Sequence, residues 1–144
     1  MDAWQKTHAA IVVPLAAGLC AVDCCGAQMT RDPDVAKVII RSIREGFAVL
    51  KELHIPITPA HLQLLSFVPA NLVSDLLLQW ARTPEFDVLV ASQVRSSREE
   101  MACLAEQLLA FARVTSVETP ALDELSQNLK PSQIQARTTL AMVS

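Results

Sequence analysis

The feature that most constrains the fold is an apolar run at residues 9–22, the longest uninterrupted one in the chain. A single lysine, Lys6, and a single histidine, His8, stand at its start. A helix that is apolar nearly all round has to be covered on most of its sides. We therefore expect residues 2–24 to form the central helix of the domain, with the other segments packed around it.

A secretory signal sequence is the alternative interpretation of this run. Its fourteen residues fall short of the roughly 20 that a membrane-spanning helix needs. Asp2 lies close to Lys6, so the segment in front lacks the basic character of a signal peptide. We predict a core helix with a proline kink at Pro14, no membrane partner and a cytoplasmic location.

Composition favours one all-α domain. A chain of 144 residues is long enough for a single core. It contains only three glycines and no tyrosine, whereas an all-β domain needs turn glycines and strand aromatics. The net charge is −3, without a lysine or arginine cluster, so we expect no nucleic-acid partner.

Proline residues mark the starts of the later helices. Asp32-Pro33 combines an N-cap residue with proline at the first helical position, and the apolar spacing behind it predicts an amphipathic helix to about Leu53-His54. Five further helices are predicted. The first runs from Thr58-Pro59 to Leu65, the second starts at Pro69 and has Leu72, Leu76, Leu77 and Trp80 on one side, and the third runs from Thr83-Pro84 to Val90. The fourth starts at Ser96-Ser97 and has a buried stripe of Met101, Leu104, Leu108 and Phe111, and the fifth starts at Thr119-Pro120.

These segments predict an all-α bundle of six or seven helices. Ser96 and Ser97 each have a glutamate three residues on, so either can form a capping box. The domain is expected to span residues 1–129. Residues 130–144 are polar and lose the helical period, so we interpret them as a frayed tail.

Two residues are candidates for chemistry. Lys6 leads the apolar helix, where partial desolvation lowers a lysine pKa and suits the ammonium to proton transfer; the alternative is a solvated lysine at a helix start. Glu100 borders the buried stripe of its helix and can reach into a groove; the alternative is its place in the capping box. The sequence contains no G-x-G-x-x-G, P-loop, G-x-S-x-G or H-E-x-x-H motif.

The four cysteines are Cys20, Cys24, Cys25 and Cys103. Cys20 and Cys24 are one helical turn apart, but no histidine or second cysteine pair lies at zinc-finger spacing. We predict no metal site and interpret the cysteines as small buried apolar residues in a reducing compartment. A metal or redox module that uses Cys20, Cys24 and Cys25 is the alternative.

Several short motifs occur together in a distinctive order. They are Trp4-x-Lys6, Pro14-Leu15, Arg44-Glu45-Gly46-Phe47, Ile55-Pro56, Arg98-Glu99-Glu100-Met101 and Thr119-Pro120-Ala121-Leu122-Asp123. In this order and spacing, over roughly residues 2–129, the chain resembles the C-terminal helical domain of the ketopantoate reductase (2-dehydropantoate 2-reductase) family. The resemblance implies the helical fold of the 6-phosphogluconate dehydrogenase C-terminal type.

The resemblance also implies a function. Such enzymes join a Rossmann domain that binds NADPH to a helical domain that supplies a general-acid lysine and a substrate-binding glutamate, and by position these match Lys6 and Glu100. We expect this chain to be the substrate-binding and dimerisation half of an NADPH-dependent 2-keto acid reductase. It would bind no cofactor alone, would be inactive alone, and would need a Rossmann-domain partner in cis or trans.

Ala10 and Val13 depart from the family pattern, because asparagines often occupy these two positions. Their replacement removes polar contacts to the substrate. The alternative function is a stand-alone helical module that forms homodimers or binds another protein without catalysis.

Overall fold

The computed structural model describes residues 2–129 of the chain. These residues contain helices and no strand, which confirms the all-α prediction. The α-helices are α1 (Ala3–Ala21), α2 (Gly26–Arg31), α3 (Pro33–Glu52), α4 (Ala70–Ala81), α5 (Pro84–Phe86), α6 (Ser92–Ser96), α7 (Arg98–Arg113) and α8 (Pro120–Ser126). A π-helical segment covers Asp87–Ala91, and 3₁₀ turns cover Ala60–Ser66 and Gln127–Leu129.

Helix α1 is the centre of the bundle, as the apolar run predicts. It contacts α3, α7 and α8, and its small side chains let these helices approach closely. Gly46 of α3, for example, lies so near α1 that an added Cβ would be 3.2 Å from the Ala10 Cβ. At its start Asp2 Oδ1 accepts from the Gln5 backbone N–H, and Gln5 Oε1 accepts from the Asp2 N–H. This capping box satisfies two exposed backbone donors.

The end of α1 differs from the prediction. The helix runs through Pro14 but stops at Ala21 rather than near residue 24. Asp23 and Cys24 adopt left-handed backbone conformations, with φ of 57° and 54°, and Cys24 N–H donates to Leu19 O at 2.7 Å. These two residues follow the apolar run directly and close the helix at its end.

Helix α2 is absent from the predicted set. Gly26 is its first residue. A Cβ at Gly26 would be 2.3 Å from Ala81 O of α4, so glycine is needed for close packing rather than for a turn. The described residues hold eight α-helices and not six or seven, because α2 and α6 are additional while the predicted helix from Thr58-Pro59 to Leu65 is a 3₁₀ turn. The predicted helix from Thr83-Pro84 to Val90 is α5 followed by the π-helical segment.

Helix α3 confirms its predicted bounds and amphipathic pattern, but the Asp32 side chain makes no cap at its start as predicted. Ile39, Ile43, Phe47 and Leu50 are buried; full burial of one such side chain stabilises the fold by about 1.5–3 kcal/mol. Arg44 on its outer side donates to the backbone oxygens of Leu65 and Val68. Helix α3 therefore holds the 3₁₀ turn and the start of α4 against the bundle.

The capping predictions have mixed outcomes. Thr83 caps α5 as expected, since its hydroxyl accepts from the Phe86 N–H. The predicted capping box at Ser96 and Ser97 is wrong: neither side chain caps α7, and the Ser96 hydroxyl donates to Gln93 O. Thr119 stands at the N-cap of α8 but makes no side-chain cap there, because Glu45 of α3 occupies those donors.

Helix α4 presents its predicted apolar side to solvent. Leu72, Leu76 and Trp80 are 52%, 55% and 41% exposed, whereas Val73 and Ala81 are buried. Among the described residues no single helix is both long and apolar enough to cross a membrane, although Ala60–Ser66 and Ala70–Ala81, bent by 112°, meet the length and composition test as a pair. The predicted frayed tail at residues 130–144 lies outside the described residues.

Candidate functional site

Lys6 lies in the second turn of α1, at the solvent edge of the central helix. Its side chain is half-buried, and Nζ lies 5.3 Å from the centroid of the Phe111 ring in α7. A cation in this position is attracted to the ring face by about 0.5–1 kcal/mol where solvent has access. The contact places the ammonium near the end of α7.

The residue next to Lys6 fixes the start of α1 to the rest of the fold. Thr7 is buried; its hydroxyl donates to Ala3 O at 2.9 Å and accepts from Thr58 N–H at 3.1 Å. The second bond brings the connector between α3 and the 3₁₀ turn against α1. Lys6 therefore projects from a backbone segment that is tied to this connector.

Trp4 and His8 occupy the opposite side of the same two turns. Their rings stack with centroids 5.0 Å apart and planes 7° from parallel, and both side chains are exposed. At 100° per residue, these two positions point about 160–200° away from Lys6. His8 is thus a surface residue near the start of α1 and does not share the face of Lys6.

Ala10 and Val13 follow Lys6 along its own face of α1, and both are fully buried. Ala10 packs on Gly46 of α3. Ala10 lies at the α1–α3 interface and Val13 lies in the core, so the two positions where the family pattern has asparagines do not line an open cleft. Polar contacts to a small molecule at Lys6 would therefore have to come from other residues.

Glu100 is not brought next to Lys6. It lies exposed in the first turn of α7, eleven residues before Phe111, which corresponds to about 16 Å of helix rise. Helices α1 and α7 pack antiparallel: Lys6 lies at Phe111, while Arg98 at the start of α7 contacts Cys24 just beyond α1. The two predicted site residues are thus at opposite ends of the bundle, and no hydrogen bond or ion pair joins them.

Neither Lys6 nor Glu100 lines either of two surface grooves in the described part of the chain. The larger, of about 960 Å³, lies between the end of α7 and the start of α8 and carries Glu106, Arg113, Glu118 and Asp123. The smaller, of about 550 Å³, lies beside the end of α3 and is lined by Arg44, Lys51, His54 and apolar residues of the connector. Lys6 lies outside both.

The cysteines form a second group of interest at the other end of α1. Cys20 and Cys24 are buried as predicted, with sulfurs 4.0 Å apart. The prediction of burial is wrong for Cys103, which is exposed, and Cys25 is half-exposed. The Cys20–Cys24 spacing was visible in the sequence, whereas the arginine beside Cys24 was not.

Comparisons with protein-family models, with curated proteins and with solved structures found no match to this chain. The resemblance to ketopantoate reductases therefore remains a prediction that rests on the sequence motifs.

Proposed function

We propose that this chain is the substrate-binding and dimerisation half of a cytoplasmic 2-keto acid reductase that resembles the ketopantoate reductases. The observation that carries the proposal is the half-buried Lys6 ammonium, held over Phe111 at the solvent edge of the central helix. Reduction of a 2-keto acid places negative charge on the former carbonyl oxygen. An ammonium at that point stabilises the charge and delivers the proton that completes the hydroxyl group.

The packing of the motif residues also supports the proposal. Glu45, from the Arg44–Phe47 motif, accepts from the backbone N–H groups of Ala121 and Leu122, which belong to the Thr119–Asp123 motif. Segments more than seventy residues apart in the sequence therefore meet in one contact. If this chain and the ketopantoate reductases share a fold, such contacts account for the presence of these motifs in the same order in both.

The described residues do not fit NADPH. A dinucleotide site needs glycines in a tight turn where the backbone approaches the pyrophosphate. Gly18, Gly26 and Gly46 all lie inside helices instead, where each allows close contact with a side chain or backbone of another helix. In this proposal the reducing cofactor is held by a separate nucleotide-binding domain, and this chain contributes only the proton donor and one wall of the cleft.

The position of Lys6 outside both grooves agrees with such a divided site. A small acid bound at Lys6 alone would keep most of its surface in water, whereas ligand pockets bury most of a ligand's surface. A second domain placed over Lys6 would supply the missing wall. Glu100, at the far end of α7, does not complete the Lys6 site in this arrangement and stays an untested sequence prediction.

The test uses the nucleotide-binding partner. The DNA beside the reading frame is first searched for a strand–turn–helix unit with G-x-G-x-x-G, in frame or as a neighbouring gene; its absence would count against the proposal. If it is present, the two parts are expressed together and NADPH-dependent reduction of ketopantoate and 2-oxoisovalerate is measured.

Lys6→Ala should then lose most of the turnover, by roughly 10²–10⁴-fold as for a general acid, with little change in the unfolding midpoint. Lys51→Ala is the matched control, because Lys51 is exposed and lies at the end of α3, and it should keep turnover near that of the unmodified chain. Unchanged turnover in Lys6→Ala would reduce Lys6 to an ordinary surface lysine.

A stand-alone homodimerising module is the second candidate function. The exposed apolar stripe of α4, formed by Leu72, Leu76 and Trp80, favours it. Val88 and Leu89, in the segment after α5, are also 71% and 67% exposed. Exposed apolar surface on one side of a helix marks an interaction site in many proteins.

A further inference from the structure

Cys24 lies in the tight turn that follows α1, with Cys20 one turn earlier in the helix. Their sulfurs are 4.0 Å apart. A disulfide bond is about 2.05 Å long, so the sulfurs need to approach by about 2 Å to become bonded. The turn between them already has left-handed residues at 23 and 24, so Cys24 is not restricted to the side-chain directions of a regular helix.

Two arginines from distant parts of the chain converge on Cys24. Arg98 Nη2, at the start of α7, donates to Cys24 Sγ at 3.4 Å, and Arg95 Nη1, in α6, donates to Cys24 O at 3.0 Å. The Arg98 Nε is buried and has no hydrogen-bond partner in the described structure. A guanidinium that donates a hydrogen bond to a cysteine sulfur stabilises the thiolate relative to the thiol.

The electrostatic result is a thiol that ionises easily. A hydrogen bond from Cys20, and then Arg98 and Arg95, lower the pKa of Cys24 from 9.0 to about 6, while burial acts in the opposite direction. Asp23 is the one acid beside it in the turn, and its side chain is exposed. At neutral pH Cys24 is therefore mainly the thiolate, which is the nucleophilic form of cysteine.

This environment favours redox chemistry over metal binding. The positive charges of the two arginines disfavour a metal cation at the sulfurs. Residues 2–129 hold no group of three histidine, cysteine or acidic side chains placed to share a metal ion. A small neutral oxidant, in contrast, meets no charge barrier. Cys24 is buried, but exposed Asp23 and half-exposed Cys25 flank it, so a small movement of this surface turn admits a molecule of that size.

We propose that Cys24 and Cys20 form a hydroperoxide-reactive thiol pair that closes to a disulfide. The Cys24 thiolate attacks one oxygen of hydrogen peroxide, the O–O bond breaks, and the departing hydroxide takes a proton to become water, which leaves a sulfenic acid on Cys24. The Cys20 sulfur then attacks Cys24, the S–O bond breaks, and the hydroxyl group leaves as a second water with the Cys20 proton. Two thiols lose two electrons in all, and the peroxide gains them.

The test starts from the Cys25→Ser/Cys103→Ser double variant, which keeps only the two proposed cysteines. After treatment with hydrogen peroxide, intact-mass spectrometry should show the loss of two hydrogen atoms, reversed by a reductant, and peptide mapping should place a Cys20–Cys24 bond. Adding Cys20→Ser should stop the reaction at a Cys24 sulfenic acid that dimedone traps. Protein that keeps both thiols under these conditions, while a free low-molecular-weight thiol is oxidised, would overturn the proposal.

The arginine contact is tested in the same background. Arg98→Gln should slow oxidation at pH 7 by at least tenfold and raise the pH midpoint of iodoacetamide alkylation of Cys24. Arg113→Gln, at the exposed far end of α7, is the control and should react like the parent. Circular dichroism monitors folding, and Arg98→Lys, which keeps the charge, should recover part of the rate. Equal rates for Arg98→Gln and Arg113→Gln would contradict the assigned role of Arg98.

Discussion

Glu45 shows how much one side chain contributes to the organisation of this fold. Its two carboxylate oxygens accept from the N–H groups of Ala121 and Leu122 at 3.0 and 2.8 Å. Pro120, the first residue of α8, has no N–H, so Glu45 reaches the next two free donors of that helix. It also places a negative charge at the positive end of the helix dipole, and thereby replaces the local cap that Thr119 does not form.

We expect Glu45→Gln to lower the free energy of unfolding by about 2 kcal/mol, because two charge-assisted hydrogen bonds are lost or weakened. Urea denaturation followed by circular dichroism measures the change. Glu106→Gln is the control, since Glu106 is exposed and makes no hydrogen bond in the described structure, and it should stay within about 0.5 kcal/mol. Equal effects of the two substitutions would show that Glu45 does not anchor α8.

The sequence predicts the position of Lys6 in its helix but not the residues that surround it. Its place at the start of an apolar helix follows from neighbours within one or two turns, and the structure has it there. The contact with Phe111, the bond from Thr58 to Thr7 and the burial of Ala10 depend on segments from α3 to α7. A local pattern holds no information on which distant residue will lie against a side chain.

At the scale of the helices, glycines decide how closely pairs can pack. A Cβ at Gly26 of α2 would be 2.3 Å from Ala81 O and 2.9 Å from the Phe86 ring. Backbone cannot move aside as a flexible side chain can. At Gly46 of α3 the nearest atom would be the Ala10 Cβ at 3.2 Å, which a small shift of the helix relieves.

Gly26→Ala should therefore destabilise the protein by about 3 kcal/mol, through overpacking between α2 and α4. Gly46→Ala should change stability by less than about 1 kcal/mol, because the gain in helix propensity offsets part of the crowding. Both are measured as shifts in the urea midpoint at constant m-value. A larger loss for Gly46→Ala than for Gly26→Ala would show that the α1–α3 interface, rather than the α2–α4 contact, is the tighter one.

At the scale of the whole molecule, the exposed stripe of α4 is the largest departure from a self-contained bundle. Leu72, Leu76 and Trp80 occupy one side of this helix, and Asp75 is the only charged residue in it. Both candidate functions include a dimer, and the stripe is the surface that would be buried in it.

We expect the chain to sediment as a homodimer at micromolar concentration and Leu76→Glu to shift it to monomer, because a charge in an apolar interface is costly to desolvate. Analytical ultracentrifugation over a concentration series measures the shift. Val114→Glu is the control: Val114 is 74% exposed but follows α7, and its substitution should leave the dimer unchanged. A parent chain that is monomeric throughout the series would contradict this prediction.

The sequence by itself determined the helical class, the central place of α1, the bounds of α3 and the cap at Thr83. Each of these depends on hydrophobic period or on turn chemistry within a few residues. Only the tertiary structure decided that α4 turns its leucines outward, that Glu45 caps α8, and that Lys6 and Glu100 lie at opposite ends of the antiparallel α1–α7 pair. It also brought Arg98 to Cys24. These features depend on how distant helices are placed in space, and no local period specifies that placement.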